Sequence, residues 1–201
     1  MQALVYNIEI VKAVSDSNGE RQEGIEYCDG WNDHANMGIA VICAYDYATG
    51  RYRVFTESNR DEFCALAHGV RLMVGFNNVR FDNKVIGPTW GCKIDQQDCF
   101  DILAELWKAD GLDPDNFVFQ THGGFGLDQC AFVNFGARNT GHGATAPVRW
   151  QQGKIGDVID YCMEDVRLTK MLFDRICEQG FLIHPKDRTR VLSLSAPKQG
   201  E

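Results

Sequence analysis

The chain of 201 residues lacks the patterns that mark several large classes of protein. Its 8 cysteines form no C-x-x-C pair and its 5 histidines no H-x-x-x-H or H-E-x-x-H spacing, which excludes a zinc ribbon and a zincin-type protease. Basic residues are also fewer than acidic ones: the chain has 20 Lys and Arg and 28 Asp and Glu. This deficit excludes a broadly basic coat protein of nucleic acid, which needs clustered cations. It leaves room for an enzyme that meets nucleic acid through metal ions held by carboxylates.

Long apolar runs and a basic leader segment are missing as well. No stretch approaches the ~18 apolar residues that a membrane-spanning helix needs. Met1 leads into a strand-like run without a basic segment before it. We therefore expect a cytoplasmic protein with no membrane partner, whose scattered cysteines are reduced residues of the core.

The apolar patterns that are present favour an α/β fold in one domain, since no Pro-rich or Ser-rich linker divides the chain. Strand-like runs cover residues 3–11, 39–47, 51–56 and 72–76. Helical periodicity covers residues 61–68, 98–109 and 155–177, and Gly180 follows the last of these as a stop signal. The order of these elements predicts a three-layer α/β domain with a mixed sheet that contains a hairpin.

A polar segment rich in Gly, Asn and Asp, residues 15–38, separates the first two strands. It is expected to form a long surface loop, and loops of this length are usually functional or mobile. Its Trp31, like Trp150, is expected to pack within the fold, as most tryptophans do. Stacking on a nucleic-acid base is the alternative for both.

Polar side chains on two of the predicted elements point to a metal site. Asn7 and Glu9 stand two apart on the first strand, so they share one of its faces. Tyr161 and Asp165 stand four apart on the long helix, and Leu168 continues their stripe into the core. An Asp on a core-facing stripe needs a partner, because burial of an unpaired carboxylate is costly. A cation shared with carboxylates of the first strand is one such partner.

Three motifs occur in an order that resembles the DEDDy-type 3′–5′ exonucleases, the proofreading enzymes of the ribonuclease H-like superfamily. The first motif, normally D-x-E, aligns with Asn7 and Glu9. The second, an Asn followed five residues later by an Asp, aligns with Asn77 and Asp82. The third, Y-x-x-x-D, aligns with residues 161–165. The resemblance spans about residues 3–182 and is greatest to exonuclease-like domains attached to helicases or encoded beside them.

The resemblance implies a fold, a reaction and partners. The fold is the ribonuclease H-like three-layer α/β fold, with a mixed five-stranded sheet flanked by helices, over residues 1–183. Residues 184–201 are expected to form a partly flexible extension. The reaction is hydrolysis of the terminal phosphodiester of single-stranded DNA or RNA with a free 3′ end, with two Mg²⁺ or Mn²⁺ ions as cofactors. A helicase or a replication or repair protein is the implied partner.

The resemblance also assigns roles to individual residues. The implied metal ligands, which are catalytic residues as well, are Asn7, Glu9, Asp82 and Asp165. Tyr161 is expected to orient the attacking water or to help deprotonate it. The residues expected to contact the substrate lie in and beside the second motif, and they are Asn77, Arg80 and Lys84.

Asn7 departs from the family pattern, which has an Asp at this position. An amide is neutral, and its NH₂ group repels a cation, so the metal and the chemistry should both be weakened. Two explanations remain open. A deliberate Asn-for-Asp substitution would keep the shape and trap the substrate, and we favour it because every other motif position is intact. Alternatively, the natural protein is a degenerate exonuclease that only binds nucleic acid or protein.

Overall fold

The structure, a computed structural model, describes residues 1–15, 21–139, 141 and 143–197. The strands are β1 (Ala3–Ile10), β2 (Ala13–Val14), β3 (Tyr27–Cys28), β4 (Ile39–Asp46), β5 (Arg51–Phe55), β6 (Leu72–Gly75), β7 (Cys99–Asp101), β8 (Phe181–Ile183) and β9 (Val191–Ser193). The helices are α1 (Arg60–Gly69), α2 (Asp82–Trp90), α3 (Ile102–Ala109), α4 (Phe119–His122), α5 (Leu127–Phe135), α6 (Ala146–Gln151) and α7 (Ile155–Gln179). In this part of the chain, none of the helices is long and apolar enough to cross a membrane.

β1 lies at the centre of a five-stranded sheet of order β5-β4-β1-β6-β7. It is antiparallel to β4 and parallel to β6, while β5 continues the hairpin and β7 extends the parallel half. Two smaller sheets pair β2 with β3 and β8 with β9. The mixed sheet, its hairpin and the helices on both faces confirm the predicted three-layer α/β architecture.

Both faces of β1 are covered, which explains why its sequence is almost continuously apolar. Leu4 and Tyr6 belong to the core beneath α1 and α2. Val5, on the opposite face, belongs to the core beneath α3, α5 and α7. Asn7 and Glu9 follow Val5 in the period of two, so the polar residues of β1 point to the α7 side of the sheet.

The longest helix, α7, covers the predicted range of residues 155–177 and extends it by two residues. Its apolar stripe, which includes Cys162 and Phe173, packs on the sheet. Gly180 ends the helix in the left-handed conformation, with φ at 74°, and its N–H donates to the Ile176 carbonyl oxygen. This helix is the rigid element that carries the third motif.

The prediction of one helix over residues 98–109 is wrong in its first turn. Cys99–Asp101 forms β7, because its backbone pairs with β6 at the edge of the sheet. α3 begins only at Ile102, where Asp101 acts as the N-cap and accepts the N–H groups of Leu103 and Ala104. Phe100 of the strand and Leu103 of the helix both face the core. Their spacing of three residues therefore matches a helical period, although only the second of them lies in a helix.

The segment after Ile183 packs against the domain as a short hairpin. Val191–Ser193 pairs with β8, and Leu192 and Leu194 enter the core beneath α7. The Nε2 atom of buried His184 lies 3.2 Å from Asp110 Oδ2. The same carboxylate accepts a hydrogen bond from Arg190, which also lies in the segment after Ile183. The division into a domain over 1–183 and an extension over 184–201 stays a prediction.

Substitution of Asp101 is expected to destabilise the fold more than substitution at most other positions. Its buried carboxylate accepts N–H groups from Asn77, Val79, Leu103 and Ala104, at 2.9 to 3.3 Å. Asp101→Ala would leave these donors without an acceptor and should lower the free energy of unfolding by about 2–4 kcal/mol. Urea denaturation measures the loss. Asp98→Ala, at an exposed neighbouring position, is the matched control and should change stability little.

Candidate active site

Three carboxylates from distant parts of the sequence meet at one edge of the sheet. Glu9 lies near the end of β1, Asp82 begins α2, and Asp165 lies in the middle of α7; all three are buried. β1 and β6 are parallel, so the end of β1 and the turn that follows β6 share this edge. The N–H of Ile8 donates to Asp82 Oδ1 at 3.2 Å and ties the start of α2 to β1.

The electrostatics of these carboxylates indicate mutual proximity. Burial raises the pKa of Glu9 well above its usual value, and the charges of Asp165 and Asp82 raise it further. Burial also raises the pKa of Asp82 and of Asp165 to about 7 each, against hydrogen bonds that lower both. No ion pair described in the structure includes any of the three. Within the described residues, therefore, no ion pair offsets the negative charge that these groups acquire when they ionise.

Asn139 holds Asp165 in place, and sequence reasoning missed it. Its Nδ2 donates to Asp165 Oδ1 at 2.8 Å and to the Tyr161 carbonyl oxygen at 3.0 Å. Its own backbone N–H donates to Asp128 Oδ1, and its Oδ1 accepts the Gly141 N–H. No local pattern marks this residue, because it lies outside the motifs on a loop that only the fold brings to α7.

Tyr161 is enclosed by the loop that precedes α6. A Cβ atom at Gly141 would lie 2.3 Å from Tyr161 Cδ2, and one at Gly143 would lie 3.3 Å from its hydroxyl oxygen. Burial, followed by the charges of Asp165 and Glu9, raises the pKa of the Tyr161 phenol. The hydroxyl thus keeps its proton at neutral pH, which suits a hydrogen-bond donor better than a general base.

Asn7 directs its amide nitrogen into the cluster. Nδ2 donates to Glu9 Oε1 at 3.4 Å and to the Ile8 carbonyl oxygen at 3.3 Å, with Cys162 Sγ at 3.7 Å. The bond to Glu9 lowers the pKa of that carboxyl, against the larger effect of burial. A donor thus occupies the place where the exonucleases that the sequence resembles have a further carboxylate.

The donor chemistry of this cluster fits a hard divalent cation. Among the described residues, no group of three or more His, Cys, Asp or Glu side chains is placed so that it could hold a metal ion. The three carboxylates nevertheless offer the oxygen ligands that Mg²⁺ and Mn²⁺ prefer. The hydrogen bonds from the Ile8 N–H and from Asn139 engage Oδ1 of Asp82 and of Asp165 respectively.

The predicted substrate-binding residues lie in the turn after β6 and in α2, close in the sequence to Asp82. Asn77 has a left-handed backbone, with φ at 69°, which gives a sharp turn after β6. The Arg80 guanidinium lies 5.7 Å from the centre of the Trp107 ring and donates to the Pro114 carbonyl oxygen. Lys84 is exposed on α2.

A pocket of about 190 Å³ opens beside Glu9. Trp31 and Phe81 line it together with Pro147. Trp31 is 60% exposed, so the prediction that it packs within the fold is wrong; its ring has Phe81 as a neighbour, with 6.1 Å between the ring centres. Trp150 is half-buried and does pack against the core.

Asp165→Asn is expected to stabilise the metal-free protein at about pH 8 and to have a smaller effect at about pH 5. The folded-state pKa near 7 lies above the unfolded value of about 3.9. The folded protein therefore keeps this proton while the unfolded chain loses it, and stability falls as the pH rises from about 4 through 7. The amide carries no charge to bury, and its oxygen can still accept the Asn139 bond.

Thermal unfolding in EDTA at the two pH values measures this difference. Asp160→Asn, at an exposed position of the same helix, is the control and should shift the melting temperature equally at both. An equal shift for Asp165→Asn would contradict the assignment of a buried, uncompensated charge.

The structure is similar to that of the family B DNA polymerase from the hyperthermophilic archaeon Pyrobaculum calidifontis. The match has a TM-score of 0.58 and 16% sequence identity, and it covers 87% of this chain. This chain spans only 24% of the length of the polymerase chain. No protein-family model and no curated protein matches the sequence. At this identity the likeness shows the fold alone, and the mixed five-stranded sheet flanked by helices agrees with the predicted ribonuclease H-like fold.

Proposed function

We propose that the chain has the site of a metal-dependent 3′–5′ exonuclease that acts on DNA or RNA with a free 3′ end. The observation that carries this proposal is the convergence of Glu9, Asp82 and Asp165 in one buried cluster, where no ion pair of the described residues engages any of them. Such a cluster is costly unless a cation shares it. The fold likeness to a DNA polymerase supports association with nucleic acid. A helicase or a replication or repair protein is proposed as partner on the sequence resemblance alone.

The residues of the cluster would have distinct roles. Glu9, Asp82 and Asp165 would hold two Mg²⁺ or Mn²⁺ ions. When bound, such ions lower the pKa of water and stabilise the leaving oxygen of a phosphodiester. Tyr161 would keep its proton and orient the attacking water as a hydrogen-bond donor. Asn139 would fix the rotamer of Asp165 through the 2.8 Å bond.

A second candidate function is a binding module that keeps the fold without catalysis. The bond from Asn7 Nδ2 to Glu9 Oε1 favours it, because an amide hydrogen takes up a carboxylate oxygen that a metal would need. Both functions use the same surface, and they differ in what happens when the missing carboxylate is supplied.

Asn7→Asp is expected to raise nuclease activity by roughly 100-fold or more, because it adds the negative charge that stabilises the metal site in the transition state. The assay uses labelled single-stranded DNA and RNA with free and with blocked 3′ ends, in Mg²⁺ or Mn²⁺. Shortening from free 3′ ends alone is the expected result. Asn7→Asp combined with Glu9→Gln is the matched control and should be inactive. Absence of any gain would contradict the exonuclease and favour the binding module.

Metal binding provides an independent measurement. Asn7→Asp should be stabilised by Mn²⁺, by about 2.7 kcal/mol when the ion is at 100 times its Kd. The unsubstituted chain should gain less, and Asp165→Asn should gain least because it removes a ligand from the core of the site. Thermal shift at a fixed pH, with Ca²⁺ and without metal as references, measures the three proteins. Identical shifts for all of them would place the metal elsewhere.

A further inference from the structure

We propose that the outer edge of β5 binds an extended acidic segment of a partner protein, which adds to the central sheet as a sixth strand. β5 (Arg51–Phe55) is the terminal strand of the order β5-β4-β1-β6-β7, so only one of its two edges is paired within the described part of the chain. β4 separates β5 from β1 and its Glu9. The edge therefore lies apart from the candidate active site and does not depend on it.

The hydrogen-bond pattern of the sheet shows which backbone groups of β5 face outwards. The N–H of Tyr47 donates to the Ala3 carbonyl oxygen, so the odd-numbered residues of β4 bond to β1 and the even-numbered ones bond to β5. In the register of the hairpin, the even-numbered residues pair with Arg51, Arg53 and Phe55. The N–H and C=O groups of Tyr52 and Val54 therefore point away from the sheet.

A side-chain hydrogen bond agrees with this orientation and leaves three backbone groups at the edge. Asn59 Nδ2 donates to the Val54 carbonyl oxygen at 3.2 Å. The N–H and C=O groups of Tyr52 and the N–H of Val54 remain, and no hydrogen bond between described residues engages them. β5 contains neither Pro nor Gly, and its register with β4 is unbroken. Such an edge is a template for a further strand.

The charge of β5 indicates which strand the edge would accept. β5 contains two Arg and no Asp or Glu, although acids outnumber bases 28 to 20 in the chain. Arg51 is exposed, and none of the ion pairs between described residues includes it. Asp46, its partner across the hairpin, is buried and bonds the turn. Arg51 thus offers a free cation to an acidic partner.

Arg53 adds a second cation on the same face of β5. Its Nη2 lies 3.3 Å from Glu62 Oε2 of α1, in an exposed ion pair. Exposed pairs of this kind contribute little stability, so a carboxylate of a partner strand can compete for the guanidinium. Arg51 and Arg53 stand two residues apart, which is the spacing of alternate side chains on one face of a strand that pairs with β5.

The opposite face of the edge combines an aromatic surface with cations of α7. Tyr52 is 43% exposed, and its ring centre lies 4.9 Å from that of Tyr45. Burial raises the pKa of the Tyr52 phenol, and the charges of Lys170 and Arg167 act against this rise, so both cations lie on this side. An apolar side chain of a partner strand would pack on the Tyr52 ring, with no acidic residue of β5 beside it.

A second copy of this chain fits the edge poorly. Antiparallel pairing of two β5 strands about Arg53 would place the two Arg53 side chains opposite each other. Pairing about Tyr52 would place Arg51 of each copy opposite Arg53 of the other. Like charges in such positions destabilise a pair of strands, whereas opposite charges stabilise it. The edge thus opposes self-association and selects an acidic strand.

The probe for this edge is a labelled octapeptide of four Glu-Val repeats, whose fluorescence anisotropy measures binding. Its glutamates would lie opposite Arg51 and Arg53, and its valines would lie on Tyr52. We expect saturable binding of this peptide and none of the matched peptide of four Lys-Val repeats. Absence of saturation at roughly 1 mM peptide would overturn the proposal, as would equal affinity for the two peptides.

Arg51→Glu tests the charge of the edge. It should raise the Kd of the Glu-Val peptide roughly 10-fold or more at low salt, because it replaces an attraction by a repulsion. Lys108→Glu is the matched control: it makes the same change of charge at an exposed position of α3, which follows the opposite edge strand β7, and it should change the Kd little. Equal effects of the two substitutions would reduce the interaction to net charge and overturn the edge.

Val54→Pro tests the pairing of strands, because it removes an outward N–H without removing a bond to β4. It should raise the Kd roughly 5-fold or more, whereas Val54→Ala keeps the N–H and should have a smaller effect. A second measurement leaves the protein unchanged. N-methylation of the peptide's valines should abolish binding, and N-methylation of its glutamates should be tolerated. Unchanged affinity of the peptide with methylated valines would overturn the added strand.

Sedimentation of the free chain separates the two kinds of partner. We expect a monomer at all accessible concentrations. A dimer that Val54→Pro dissociates would assign the edge to a second copy and overturn the acidic partner. Nuclease activity is a separate readout, since Arg51→Glu should leave the activity of the Asn7→Asp variant unchanged. A failure of either proposal therefore leaves the other standing.

Discussion

Burial of three carboxyl groups in one place is the constraint on which the rest of the site depends. Each carboxylate is held by neutral donors: a backbone N–H of β1 for Asp82, the amide of Asn139 for Asp165, and the amide of Asn7 for Glu9. Neutral donors lower the cost of burial without cancelling the charge. The fold thus holds three carboxyl groups together, and their ionisation in this place costs stability.

Much of the fold could be predicted because local patterns and tertiary structure agree there. β1 and α7 have strong periods, and the central hairpin carries its turn residues, so their ranges were correct to within a few residues. Edge strand β7 could not be predicted, because its three residues continue the helical period of α3 and only pairing with β6 makes them a strand. Tertiary context decided the structure of this segment.

The residues of the candidate site likewise divide into those that the sequence predicts and those that it does not. The order of the motifs is sufficient to predict that Glu9, Asp82 and Asp165 meet, whereas their roles in catalysis stay a prediction. Asn139 could not be predicted, since a single Asn on a loop has no local signature. The exposure of Trp31 could not be predicted either, because it depends on where a long loop lies against α2. Site residues on regular helices and strands can thus be predicted from the sequence, whereas those that lie on loops cannot.

The four hydrogen bonds of Asp101 couple two regions that are separate in the sequence. One carboxylate caps α3 and also closes the turn that carries the second motif away from β6. Local opening of this corner would therefore release the edge strand, the helix start and the approach to Asp82 as one cooperative unit. On this side, formation of the candidate site is thereby linked to the folding of the sheet edge.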